Sequence, residues 1–125
     1  FCFFGFLVWL AGFIIEVVAD NQKKKFKEDL NNKDKFISHG LWAWSRHPNY
    51  FGEILLWIGI TIIAIPIFKN WDYLALISPI FIYYLLVNVS GIPMLEKAAD
   101  QKWGNNEDYI SYKDKTNILF LKKPD

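Results

Sequence analysis

Cys2 and Met94 are the single cysteine and single methionine in 125 residues. A disulfide framework and a cysteine-rich zinc site are both excluded, and no metal site is expected. Charge excess is missing too, since 14 Lys and Arg face 13 Asp and Glu for a formal net charge of +1. No domain-wide basic surface is left for nucleic acid, which is not expected as a partner. The chain opens at Phe1 inside an apolar stretch, without the basic n-region of a signal peptide. It is expected to be the C-terminal piece of a longer protein. Apart from Lys23-Lys24-Lys25, no low-complexity tract or internal repeat is visible.

What the chain has in quantity is apolar surface: 53% of its residues are hydrophobic and 18% aromatic. That is too apolar for a disordered segment and aromatic-rich for a small soluble domain, so a membrane protein is the first reading. Three runs approach the roughly 20 residues that cross a bilayer, at about 1–18, 51–68 and 74–92. None alternates polar and apolar residues as a barrel strand must, so helices are expected. The fold class is therefore all-α, a polytopic membrane helix bundle of three transmembrane spans with short cytoplasmic amphipathic helices, forming one membrane domain over 1–125.

Positive charge gives the orientation. Seven Lys or Arg lie in 19–48, six in 94–125 and one in the turn at 69–73, so loop 19–48 and the tail should both be cytoplasmic. Three crossings demand the same arrangement. The membrane is that of the endoplasmic reticulum or of a bacterial inner membrane. Trp42, Trp44, Trp71, Tyr73 and Trp103 flank the runs as an expected interfacial belt. Ser45 can serve a capping role before the second span and Pro48 suits an early helical position. In the tail, 94–103 reads as one short helix, Gly104-Asn105-Asn106 as its stop, and 107–115 as a second.

Chemistry gathers where these runs meet polar sequence. Asn49 and Glu53 are four apart and share a helix face with Trp57, directly after Arg46 and His47. A carboxylate inside a span costs roughly 2.5 to 3.5 kcal/mol on insertion scales, which favours a functional role for Glu53 over a helix staple to Arg46 or Asn88. The free N–H groups of a helix start, together with Arg46, would suit a phosphate. On the first run Glu16 and Asp20 are also four apart, and Lys24 and Lys27 continue nearly the same face. Acids there can hold ribose hydroxyls and amines can hold phosphates, or the acids simply counter the lysines. Lys23 to Lys25 reads first as a solvated or anionic-lipid-facing patch. His47 fits a cap, packing or an acid-base role equally. Tyr109 and Tyr112 read as packing residues with hydroxyls in water, and Asn88 as a buried helix-to-helix hydrogen bond.

Gly40-Leu41-Trp42, the run from Ser45 to Glu53 (Ser-Arg-His-Pro-Asn-Tyr-Phe-Gly-Glu), Ser90-Gly91-Ile92-Pro93-Met94-Leu95-Glu96, and the closing Tyr109, Tyr112 and Thr116 resemble the C-terminal domain of steroid 5-alpha-reductase-like membrane proteins. The likeness runs from Glu16 to the end. It implies a bundle that binds NADPH from the cytosol and reduces a carbon-carbon double bond conjugated to a carbonyl in a lipid-like substrate, hydride going to the beta carbon and a proton to the alpha carbon. Carried over by position, it implies that Asp20 and Lys27 hold the ribose-phosphate end, that Arg46 and Asn49 contact the cofactor, and that Glu53 meets it nearer the nicotinamide. Tyr109 and Tyr112 would close the cytoplasmic side, and His47 and Tyr50 join the cofactor-binding set. The groups that polarise the substrate carbonyl resemble residues of preceding helices of the same protein, so the catalytic acid is expected there, with Glu53 as a contributor. Isoprenylcysteine carboxyl methyltransferases, which use S-adenosylmethionine, share the Arg-His-Pro entry to a span. A lipid-binding bundle without catalysis is the remaining alternative.

Overall fold

The computed structural model describes residues 2–67, 69–89 and 91–124. Phe1 and Phe68, the outer ends of two expected spans, and Ser90, the first residue of the Ser90 to Glu96 motif, lie outside them. All regular structure among the described residues is helical. Helix α1 spans Cys2–Glu28, α2 Pro48–Ala64, α3 Ile77–Tyr84, α4 Gly91–Trp103 and α5 Glu107–Lys115. Short 3-10 segments lie at Leu30–Asn32, Gly40–Ala43 and Ile65–Ile67, a longer one at Asn70–Leu76, and a wider π turn at Leu85–Val89.

Local sequence explains most boundaries. α1 runs ten residues past the expected end at 18, because 19–28 is free of glycine and proline and rich in residues that sustain a helix in water. Asp29 ends it by turning its carboxylate onto the Asn31 N–H (2.9 Å). Pro48 opens α2 at its first helical position, where a missing N–H costs nothing. Asn106 accepts from the N–H groups of Asp108 and Tyr109 (2.8 and 3.2 Å), so α5 starts where the sequence places it. The capping role expected of Ser45 is not what the fold uses. His47 occupies the N-cap position without a side-chain bond. Ser45 Oγ instead donates to the Leu119 carbonyl (2.7 Å) and accepts from the His47 N–H (3.1 Å), because the C-terminal tail passes beside it.

By length and composition, α1 and the segment Asn70–Trp103 are long and apolar enough to cross a membrane, while α2, at 17 residues, is shorter. α1 and α2 are antiparallel and touch backbone to backbone. A Cβ on Gly12 would lie 2.5 Å from the Gly52 carbonyl, and one on Gly5 2.9 Å from that of Gly59. The two pairs repeat every seven residues on both helices, so small residues set the closest approach. Large apolar side chains point away from this seam, among them Phe3 (76% exposed), Phe4, Ile14, Ile80 and Phe81.

Two apolar clusters anchor the polar end of the molecule. Ala19, Ile37 and Trp42 form one, with Phe26 and Leu41 against it. Ile54, Ile92 and Leu119 form the other, joining α2, α4 and the tail. Gly40, at φ +63°, turns the chain into the Trp42 turn, where Gln22 Oε1 accepts the Leu41 N–H (2.9 Å) and Trp42 Nε1 donates to the Ala19 carbonyl (3.0 Å). The tail is laced to the entry of α2, with Arg46 N donating to the Asn117 carbonyl (2.8 Å) and Lys122 N to that of Trp44 (2.9 Å).

Candidate functional site

The last turns of α1, the stretch 35–37, Trp42, the α2 entry, α4 and α5 enclose a cavity of about 260 Å³. Lys23, Lys27, Lys35, Arg46, His47 and Lys102 line it, and Glu96 is the single acid among its lining residues. α1 supplies its share through one helical stripe: Phe26 and Lys27 follow Lys23 at the three- and four-residue spacing of one face. Lys23 Nζ lies 5.0 Å over the Trp42 ring, and burial, then the neighbouring Lys27, push its amine below the usual lysine range. A bound anion would reverse that shift.

The corner at the α2 entry is built by Arg46, His47 and Glu96. Glu96, on the first turns of α4, places Oε1 2.5 Å from Arg46 Nη1 and Oε2 3.8 Å from His47 Nε2. The Arg46 contact is an ion pair outside hydrogen-bond geometry. Arg46 Nε and Nη1, His47 Nε2, Asn49 Oδ1 and Glu96 Oε1 are all buried without a hydrogen bond. Native interiors leave few such atoms, and convergent ones mark a place for a polar ligand. Burial alone would raise the Glu96 carboxyl, but the His47 imidazole and Arg46 guanidinium beside it hold it below the usual carboxylate range.

An aromatic wall completes the cavity. Phe36 stands edge-on to Trp103 and Tyr109 (centroids 5.8 and 5.2 Å) and tilted to Tyr112 (5.4 Å). Tyr112 donates its hydroxyl to the Trp42 carbonyl (2.6 Å), and Tyr109 donates to Asp100 Oδ1 (3.4 Å), which also binds Lys113 Nζ (2.8 Å). Burial, followed by the Glu96 and Asp100 carboxylates, pushes the Tyr109 phenol up to about 12, and burial raises Tyr112 as well. Both hydroxyls are thus protein-bound, which corrects their placement in water: Phe36 folds over them.

Of the nine residues read as cofactor-binding, Lys27, Arg46, His47, Tyr109 and Tyr112 line this cavity. Asn49 turns a buried, unpaired oxygen toward the protein interior. Asp20, Tyr50 and Glu53 lie off the lining, with Asp20 exposed and Tyr50 and Glu53 half-buried. Among the described residues neither Glu16 nor Asp20 pairs with a lysine, and Glu53 staples neither Arg46 nor Asn88, since Arg46 is held by Glu96. Lys24 and Lys25 are exposed, and the face that meets the cavity is that of Lys23 and Lys27. Asn88, expected buried, is exposed on the π turn, where the extra residue rotates it outward. Of the expected belt residues, Trp42 is buried against Ala19, and Trp103 Nε1 donates to the Asp34 carbonyl (2.8 Å). Sequence reading missed Lys35, Phe36 and the role of Glu96. Only Glu96 carried a signal, its place in the Gly91 to Glu96 motif at the end of an apolar run.

A family model described as "Protein of unknown function (DUF1295)" matches residues 1–116. The chain is 30% identical over 77 residues, 55% of its length, to a probable O-methyltransferase, ustE, of Ustilaginoidea virens. It is 34% identical over 55 residues, 44% of its length, to 3-oxo-5-alpha-steroid 4-dehydrogenase 1 of Macaca fascicularis. To a probable 7-dehydrocholesterol reductase of Acanthamoeba polyphaga mimivirus it is 34% identical over 67 residues, 41% of its length. The matches span 27%, 21% and 15% of those three proteins. No solved structure matches the chain.

Proposed function

Because the chain belongs to the steroid 5-alpha-reductase-like family that DUF1295 denotes, we propose that it is the cofactor-binding part of a membrane reductase. The reaction is NADPH-dependent reduction of a double bond conjugated to a carbonyl in a steroid-like or other lipid substrate. The observation that carries this reading is the cavity itself, with five Lys or Arg and one His against one carboxylate, an aromatic wall, and buried polar atoms without a hydrogen bond. Its volume of about 260 Å³ falls below the roughly 300 to 1,000 Å³ of ordinary ligand pockets, so one portion of a dinucleotide enters and the rest lies across the mouth.

NADPH, when bound, supplies the hydride. The chain's own residues bind and orient. Lys23, Lys27 and Lys35 neutralise phosphate oxygens, and the Arg46 and His47 nitrogens and the Glu96 oxygens meet a polar group in the inner corner. Tyr109 stays protonated across the physiological range, so near the site it acts as a hydrogen-bond donor and not as a base. Asp20 and Glu53, which lie off the lining, serve ribose and substrate.

The outward Phe, Leu and Ile side chains on α1 and α3 support insertion in a bilayer, where such surface costs nothing. Under this proposal α1, α2 and the segment through α3 are three spans, with loop 19–48 and the tail on the cytoplasmic side. The match to a probable O-methyltransferase supports a second reading, in which S-adenosylmethionine occupies the same cavity.

One experiment separates the readings. Thermal unfolding of the full-length protein in detergent, with NADPH or S-adenosylmethionine at about 100 times its Kd, should show NADPH alone stabilising by roughly 2.7 kcal/mol. Stabilisation by S-adenosylmethionine alone would establish the methyltransferase reading. No response to either would leave a lipid-binding bundle.

A further inference from the structure

Charge is unevenly distributed along the cavity. At the inner end Arg46 and His47 are compensated by Glu96, whose two oxygens reach one each, and the Arg46 and Glu96 side chains are only 14% and 15% exposed. Six residues further along α4, about 9 Å by helix rise, Lys102 is 50% exposed and lies 3.5 Å from Asp34 Oδ1. Lys23, Lys27 and Lys35 line the same cavity without an ion-pair partner among the described residues. Net positive charge thus rests on these three lysines. The inner end is charge-compensated yet holds buried polar atoms without a hydrogen bond.

We infer that Glu96 is a positioning residue that decides which part of the cavity receives the anionic part of the ligand, turning phosphates to the lysines and a neutral hydrogen-bonding head to Arg46 and His47. The inference rests on the nucleotide reading of the cavity. Without the carboxylate, the Arg46 guanidinium would be an uncompensated cation in a low-dielectric corner and would compete with the lysines for any phosphate. With it, an anion entering that corner meets a like charge, and a neutral amide meets Arg46 donors beside Glu96 acceptors. An amide head satisfies both kinds of atom at once, which a phosphate, accepting only, does not.

The test measures binding of inorganic pyrophosphate and of NADPH to the full-length protein as wild type, Glu96→Gln, Glu96→Asp and Lys27→Gln. Glu96→Gln keeps the side-chain size and removes the charge. It should bind pyrophosphate at least 3-fold more tightly and NADPH at least 3-fold more weakly, with Glu96→Asp returning both toward wild type. Lys27→Gln, at an exposed position that leaves the fold alone, should weaken both ligands at least 3-fold. Equal weakening of both ligands in Glu96→Gln would make the residue merely structural and overturn the inference, as would unchanged binding in Lys27→Gln. If wild type binds pyrophosphate but not NADPH, while Glu96→Gln still tightens pyrophosphate, the cofactor reading fails and the role of Glu96 stands.

Discussion

Arg46 and Glu96 are the residues on which the polar corner turns, because among the described residues Glu96 is the acid at ion-pair distance from both Arg46 and His47. Removing one leaves the other buried and uncompensated. Arg46→Ala should therefore destabilise the protein by about 3 to 5 kcal/mol, read by thermal or denaturant unfolding, in addition to lowering nucleotide affinity. The same pair sets an acid response. The Glu96 carboxyl is held below its ordinary value of 4.5, so its contribution to stability is present above that value and is lost as pH falls through the depressed one. Unfolding followed between pH 6 and pH 3 should show this loss, and Glu96→Gln should remove that part of the profile. Tyr112→Phe deletes the hydroxyl that donates to the Trp42 carbonyl at 2.6 Å. A cost of about 1 to 2 kcal/mol is expected, with the cavity intact.

Between elements, the decisive contact is the α1 and α2 seam. Its glycines are conspicuous in the sequence only as interruptions of apolar runs, and nothing in 3.6-residue periodicity says that Gly5 faces Gly59 and Gly12 faces Gly52. Backbone contact there leaves no room for a methyl group. Gly12→Ala should cost at least about 1 to 3 kcal/mol through overpacking, measured as a lower unfolding midpoint. A change of similar size at exposed Ala11 should cost little. α5 was legible almost residue by residue, since an Asn cap, acids in the first turn and lysines in the last are local signals. The run from Asn70 to Trp103 was legible as apolar but not in its shape. The π turn packs Leu86 and Val87 against the cluster of Ile54, Ile92 and Leu119, which sequence periodicity does not report.

For the whole molecule, the proposed topology puts the cavity and both lysine-rich segments on one side of the bilayer. With Cys2 replaced, single cysteines at Asn31 and Lys123 should react with a membrane-impermeant maleimide from the same side, and one at Lys69 from the opposite side. All three positions are exposed, so failure of that pattern would point to a different number of crossings. The chain spans less than half the length of the curated relatives it matches, and the outward apolar face of α1 carries side chains as exposed as Phe3 and Phe4. Lipid or further protein can cover that face, whereas water cannot do so cheaply.

Composition, three apolar runs and the Arg46 to Glu53 stretch determined an all-helical chain with its chemistry at the entry to α2, because helix length, proline placement and charge bias are local or additive properties. Only tertiary structure decided that Glu96 closes on Arg46 and His47, that Lys23 and not Lys24 meets the cavity, and that Phe36 covers the two tyrosines. Those outcomes depend on how α1, α4, α5 and the tail converge, and no spacing along one chain encodes the distance between side chains fifty residues apart.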